Sequence, residues 1–251
     1  MSCRMKYAFF GDTIYHIDEV PPGLMCGCVC PACKRPVVAK NQGLVRGHHF
    51  SHYQSEDCEH CNETQLHLTA KALIEKSDTI TLPEITYPYD QKYHRSSWQE
   101  NIFNVELEKR VDSIIPDVLV TTSSYGKYII EICVTHAVDE NKRNKIHQLG
   151  ISAIEVDLSD FDQTKPDEDQ LEEALRNPLR MTWIYNHEVE ERERQEAYWN
   201  AYHNGICPFC GSKLVRKHGI SRNGYSYDVI KCSDQRCGFW RWTDVEKKKH
   251  A

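Results

Sequence analysis

Two apolar runs in the middle of the chain, each interrupted by one carboxylate, constrain the fold more than any other feature. Residues 114–120 and 128–134 are rich in isoleucine and valine, and Ser-Ser-Tyr-Gly lies between them as turn material. The pattern predicts a β-hairpin. Asp117 and Glu131 interrupt the runs, and paired strands can direct both side chains toward one point. Buried carboxylates are costly without a counter-charge, so the pair predicts a metal ion or a held proton. The alternative is that both lie on a solvated sheet edge.

The segments around this hairpin predict an α/β core. A helix is expected from Asn62 or Glu63, an irregular or edge-strand segment over 80–98, and a strand in NIFNVELEKRVD beside the hairpin. A second helix over about 138–149, ended by Gly150, leads to a strand over 151–158. Strand, helix, strand at this spacing predicts parallel pairing with a right-handed crossover.

The cysteine pattern indicates zinc. Eight of the twelve cysteines form four closely spaced pairs amid histidines. The N-terminus MSCRMKYAFF lacks the pattern of a signal peptide, and no run is long enough to cross a bilayer. A cytoplasmic protein without a membrane partner is therefore expected, and in that reducing compartment paired thiols favour two structural zinc ions over disulfides.

The C-terminal pairs predict a zinc ribbon. Cys207 with Cys210, and Cys232 with Cys237, bracket two alternating segments that turn at Asn223-Gly224. Residues 207–251 contain ten lysines and arginines against four acids, although the whole chain carries a net charge of −6. The ribbon could therefore bind nucleic-acid phosphates and bases, or equally a protein partner. The nucleic-acid candidates are Arg216, Lys217, Arg222, Arg241 and Trp240.

The N-terminal pairs leave the ligand set open between two solutions. One is an all-thiolate site of Cys30, Cys33, Cys58 and Cys61. The other combines Cys30 and Cys33 with His49 and His52 from the HHFSH block.

Several motifs resemble a known family. Pro116-Asp117 followed by Glu131-Ile132-Cys133 resembles the metal-binding hairpin of the PD-(D/E)xK nuclease superfamily. HHFSH, ETQLHLTAK and the block from EICVTH to VDLS are similar to competence protein CoiA-like nucleases, over about residues 30–159. This resemblance implies a PD-(D/E)xK-type nuclease core, a mixed sheet flanked by helices, with a catalytic Mg²⁺ or Mn²⁺.

The resemblance also implies roles for individual residues. Asp117 and Glu131 would bind the metal with help from Glu63, and Asp112 is the alternate for Asp117. The superfamily's usual lysine is absent, because Cys133 occupies its place. Its charge would come from another residue, for which the candidates are Lys142, Lys145, Lys127 and His136. His67 or Lys71 would face phosphate.

Four segments follow from these patterns: a zinc-binding module (1–61), a nuclease core (62–160), an acidic helical linker (161–204) and the ribbon (205–251). The predicted function is a metal-dependent nuclease acting on DNA, with RNA left open, in DNA uptake, recombination or defence. The alternative is a non-catalytic zinc-ribbon adaptor for nucleic acid or protein, with a degenerate nuclease core.

Overall fold

The computed structural model describes residues 5–11, 13–44, 47–54, 56, 58, 61–87, 94–161, 167–222, 224 and 226–243, with the side chains of 61–63 left out. The chain divides into two compact units, Met1–His187 and Glu188–Ala251. Within the described parts of the chain, no helix combines the length and apolarity needed to cross a bilayer.

Fifteen strands and four α-helices are assigned within these residues. The strands are β1 (Tyr7–Phe10), β2 (Thr13–His16), β3 (Val37–Lys40), β4 (His49–His52), β5 (Thr79–Leu82), β6 (Ile85–Thr86), β7 (His94–Arg95), β8 (Trp98–Leu107), β9 (Val118–Thr122), β10 (Lys127–Cys133), β11 (Ser152–Asp157), β12 (Met181–Tyr185), β13 (Leu214–Ile220), β14 (Ser226–Cys232) and β15 (Trp240–Trp242). The helices are α1 (Cys61–Glu75), α2 (Glu140–Leu149), α3 (Glu168–Arg176) and α4 (His187–His203).

A six-stranded mixed sheet, in the order β12-β11-β10-β9-β8-β5, forms the centre of the first unit. The predicted hairpin is confirmed as the antiparallel pair β9 and β10. Strand β8 lies beside it, as expected, and the β10–α2–β11 unit is parallel. Helix α2 begins where the Asp139 side chain accepts a hydrogen bond from the Lys142 backbone N–H. It ends at Gly150, whose φ of 66° suits glycine best.

Helices cover both faces of the sheet. On one face Leu66 of α1 and Leu171 of α3 pack with Val120 and Ile154. On the other face Ile146 of α2 packs with Ile129. The apolar alternation within β9, β10 and β11 divides these strands between the two clusters. The structure thus confirms a mixed α/β architecture with helices on both sides of the sheet.

The predicted linker over 161–204 is corrected in part. Residues 168–185 belong to the core, because α3 packs on the sheet and β12 pairs antiparallel with β11 as an edge strand. The helical linker predicted over 161–204 included MTWIY, whose neighbours are helix formers. The backbone of β11 provides hydrogen-bond partners for MTWIY, and this pairing outweighs the helix propensity of the neighbouring residues.

The N-terminal part of the first unit has its own core around Phe50 and Ile17. It contains the antiparallel strand pair β1–β2 and a second hairpin, β3–β4, which was not predicted. The buried Gln65 amide of α1 joins this part to the helix. Its Oε1 accepts from the backbone N–H groups of Lys6 (2.8 Å) and Tyr7 (3.0 Å), and its Nε2 donates to the Tyr7 carbonyl (3.0 Å).

The second unit consists of α4 and a three-stranded antiparallel sheet, β13-β14-β15. The predicted ribbon hairpin is confirmed as β13 and β14, whereas β15 was not predicted. Tyr198 and Tyr202 of α4 make edge-to-face ring contacts with Phe239 at 6.4 Å, so these aromatics serve packing.

Candidate functional site

A polar cleft of about 380 Å³ lies beside the carboxylates of the β9–β10 hairpin. The loop after β10, the start of α2 and one side of α1 line it. Its lining includes the titratable side chains His67, Asp117, Glu131, His136, Lys142 and Glu155. The two acids predicted to converge therefore do share one cleft.

Asp117 is held in its ionised form by three donors. His67 Nε2 donates to Oδ2 (2.8 Å), Lys71 Nζ lies 3.0 Å from Oδ1, and the Ile132 backbone N–H donates to Oδ2 (2.9 Å). Burial alone would raise the pKa of Asp117, but these contacts outweigh it and hold the pKa below its ordinary value. The Lys71 side chain is only 4% exposed and also donates to Glu108 (2.8 Å).

Glu131 has the opposite electrostatic setting. It is 3% exposed, and its Oε1 has no hydrogen-bond partner among the described residues. Burial and the neighbouring Asp117 charge raise its pKa to about 7, against the opposing effect of Lys142. The cleft therefore pairs one firmly ionised acid with one that titrates near neutrality.

Lys142 brings a cation to Glu131 from the helix that follows the hairpin. Its Nζ donates to Glu131 Oε2 at 2.6 Å. Cys133, where the resemblance expects lysine, is buried two residues beyond Glu131 on the same face of β10. Among the candidates for the displaced charge, Lys142 is the lysine that the structure brings to Glu131.

Glu155 also lines the cleft, although it was not among the predicted site residues. It pairs with Glu131 across the parallel strands, so both side chains lie on one face of the sheet. Its Oε2 accepts a hydrogen bond from the Val138 backbone N–H. The available signal was the same as for Glu131, a single acid interrupting an apolar strand, here in ISAIEVDL.

The remaining predicted residues take separate positions. His136 is exposed at the cleft, and its Nδ1 lies 2.8 Å from Thr135 Oγ1. Lys145, Lys127 and Asp112 are not among the residues that line the cleft, and Asp112 lies in an exposed turn at a φ of 50°. Glu63 belongs to α1, but its side chain lies outside the described residues.

The N-terminal cluster combines members of both predicted solutions. The side-chain donor atoms of Cys30, Cys33, His52 and Cys58 all lie within 4.8 Å of one another. Three sulfurs and one imidazole at this spacing fit a tetrahedral zinc ion. His49 Nδ1 lies instead 2.9 Å from the Gly47 carbonyl oxygen, and the Cys61 side chain is outside the described residues.

Strand alternation explains which histidine joins this cluster. In β4, Phe50 and His52 are buried on one face, whereas His49 lies on the other. Burial raises the pKa of Cys33, but hydrogen bonds from Arg35 and His52 outweigh it and lower the pKa to about 6. A thiolate at this position favours metal binding.

The C-terminal cluster has the four predicted ligands. Sulfurs of Cys207, Cys210, Cys232 and Cys237 lie within 4.8 Å of one another. Each knuckle contributes two thiols, and the hairpin β13–β14 lies between them. The set could hold one zinc ion in the closed, all-thiolate geometry of a structural site.

The predicted nucleic-acid contacts divide between the two faces of the ribbon sheet. Arg216 forms an ion pair with Asp228, and the Arg241 guanidinium lies 4.5 Å from the Trp199 ring centroid. Register and alternation put these arginines on one face, and Lys217 and Trp240 on the other. Arg222 is exposed in the turn after β13.

No family model matches this chain, and no curated protein or solved structure matches it either. Functional conclusions therefore depend on the chemistry of the cleft and of the two cysteine clusters.

Proposed function

We propose that this protein is a metal-dependent nuclease whose cleft hydrolyses phosphodiester bonds of DNA. The observation that carries the proposal is the buried Glu131 carboxylate, whose Oε1 has no hydrogen-bond partner in the described part of the chain and lies beside the ionised Asp117. A buried oxygen without a partner is costly, and two neighbouring carboxylates are the hard donors that Mg²⁺ and Mn²⁺ prefer. The donor set therefore fits a divalent cation.

A cation held by Asp117 and Glu131 would neutralise charge on the phosphate and lower the pKa of an attacking water. Residues of the chain provide the remaining functions. His67 and Lys71 orient Asp117 and keep it ionised. Lys142 supplies positive charge at the edge of the cleft, and Glu155 is available as a further acid.

In this proposal the usual lysine of the superfamily has moved from the strand to α2. Cys133 cannot supply a positive charge, whereas the Lys142 ammonium lies against Glu131. Because Cys133 and Glu131 lie on the same face of β10, a lysine at either 133 or 142 would approach the same carboxylate.

Cleavage assays test the proposal. Single-stranded, duplex and branched DNA, and RNA, are incubated with the protein in Mg²⁺ or Mn²⁺, beside Asp117→Asn and Glu131→Gln. Each variant is expected to lose about a hundredfold or more in cleavage rate. Glu173→Gln, an exposed acid on α3, serves as the matched control and retains the activity. Equal activity of all four proteins would refute the proposal.

The adaptor alternative is favoured by one observation, the cysteine at the position of the usual lysine. Under it, the protein binds nucleic acid or a protein through the ribbon and cleaves nothing in either metal. Metal-independent binding without detectable cleavage of any substrate is the result that selects this alternative.

A further inference from the structure

One face of the ribbon sheet carries aromatic side chains and lysines together. Register and alternation place Val215, Lys217 and Gly219 of β13 on this face with Tyr227, Val229 and Lys231 of β14, and with Trp240 and Trp242 of β15. We call these eight residues the aromatic face. The sequence alone did not show that the arginines and the aromatic residues lie on opposite faces, because β15 was not predicted.

The two tryptophan rings on this face are exposed, Tyr227 is half-buried, and the three rings contact one another. Trp240 and Trp242 are each 57% exposed, and their rings meet edge to face at 5.5 Å. Tyr227 meets Trp242 edge to face at 6.5 Å. The two tryptophans therefore present apolar surface to solvent beside the half-buried tyrosine.

Gly219 has a specific role in this arrangement. A Cβ at Gly219 would lie only 2.5 Å from the Tyr227 ring, far inside van der Waals contact. The missing side chain thus lets the tyrosine ring lie directly against the backbone of β13. Glycine at this strand position leaves space that the Tyr227 ring occupies.

The charge on the aromatic face is uniformly positive. Lys217 and Lys231 are interleaved with the aromatic residues, and no acid belongs to the eight positions. Asp228, the acid of the central strand, points to the opposite face, where it pairs with Arg216. This ion pair withdraws an arginine from phosphate contact, whereas no acid shares the eight positions of the aromatic face with the two lysines.

We infer that the aromatic face binds single-stranded nucleic acid, with bases stacked on Trp240, Trp242 and Tyr227 and phosphates contacted by Lys217 and Lys231. Unpaired bases expose flat rings that stack on aromatic side chains, whereas duplex bases are already stacked on their neighbours. The alternation of rings and ammonium groups fits this chemistry. The inference deepens the proposed function by naming the strandedness of the substrate.

The test is a binding titration of the whole protein with fluorescently labelled oligonucleotides, without added Mg²⁺ or Mn²⁺. Wild type is expected to bind single strands more tightly than the matching duplex and to show quenched tryptophan fluorescence. Trp240→Ala and Trp242→Ala should each weaken single-strand binding about tenfold, and Trp240→Phe should retain most of it. A thymidine and a uridine oligonucleotide distinguish DNA from RNA.

Lys217→Ala and Arg216→Ala form a matched pair, because these neighbours lie on opposite faces of β13. Lys217→Ala should reduce the salt dependence of binding by about 0.7 in the log–log slope, and Arg216→Ala should leave it nearly unchanged. Zinc content confirms that each variant is folded. Tighter binding to duplex, or wild-type affinity in the zinc-loaded tryptophan variants, overturns the inference.

The outcome is separable from that of the nuclease proposal. Binding is measured without a catalytic cation, and Asp117→Asn should bind single strands as wild type does. A variant that loses cleavage but still binds single strands then has a defect in the cleft and not in the aromatic face. If the protein binds no oligonucleotide but binds a protein partner, the inference is wrong. That result does not bear on the cleft, which the cleavage assays test.

Discussion

A buried carboxylate at position 131 makes the metal-free protein less stable than it would be with a neutral residue there. The pKa of Glu131 is about 7 in the folded chain, above its ordinary value of 4.5. The folded state therefore holds a proton that the unfolded state releases between these values. The resulting destabilisation is absent below about pH 4.5 and complete above about pH 7.

Glu131→Gln should accordingly gain stability relative to wild type as the pH rises. The expected change in the stability difference between about pH 5 and about pH 8 is 1–3 kcal/mol, measured by urea unfolding of zinc-loaded protein without Mg²⁺ or Mn²⁺. Glu173→Gln, whose side chain is exposed, is the control. A pH-independent difference between Glu131→Gln and wild type would show that residue 131 does not titrate in this range.

Lys142, the proposed substitute for the superfamily's lysine, gives a second prediction at the residue scale. Lys142→Met should lower cleavage about a hundredfold, and adding Cys133→Lys in that background should restore part of it. Lys145→Met, one turn further along α2 and outside the cleft, should retain activity. If Lys142→Met and Lys145→Met are equally active, the ammonium at Glu131 has no part in the reaction.

At the scale of elements, the sequence predicted those that local patterns determine. The hairpin β9–β10 was predictable from two β-branched runs around a turn, and α2 from its basic helix closed by Gly150. The elements that were missed, β3, β4, β12 and β15, are strands of three to five residues, too short to show a clear alternation of apolar and polar side chains. Their pairing depends on tertiary context, which local propensity does not contain.

The candidate site was predictable to a similar extent. Asp117 and Glu131 were found because acids are conspicuous inside apolar strands. Glu155 gave the same signal but was not recognised, since its parallel register with Glu131 becomes visible only when β10 and β11 are paired. His52 could have been preferred over His49 from its two-residue spacing to Phe50, which puts both on the buried face of β4.

The mixed N-terminal cluster gives a prediction at this scale. His52→Ala or Cys58→Ala should lower the zinc content by about one ion per chain, whereas His49→Ala should keep both ions. Cys61→Ala should also keep both ions. Metal analysis of the purified variants checks this expectation. Zinc lost in Cys61→Ala but kept in His52→Ala would instead support the all-thiolate set.

At the scale of the whole molecule, the two clusters belong to different compact units, so their loss should affect different steps. Cys58 precedes α1, the helix whose His67 and Lys71 contact Asp117. Cys232 ends β14 in the ribbon. Cys58→Ser should therefore mainly lower kcat, and Cys232→Ser should mainly raise KM for a single-stranded substrate. Steady-state kinetics distinguish the two effects, and identical changes in both variants would contradict this division.

Helix α1 begins three residues after Cys58 of the N-terminal cluster, so we expect the proposed chemistry of the cleft to be sensitive to oxidants. Peroxide or a disulfide reagent that converts the N-terminal thiolates would release their metal and free the first turn of the helix. His67 and Lys71 would then lose their fixed position beside Asp117, although neither is itself oxidised. The proposed hydrolysis should consequently stop under oxidative stress and return when a reductant and zinc are supplied together.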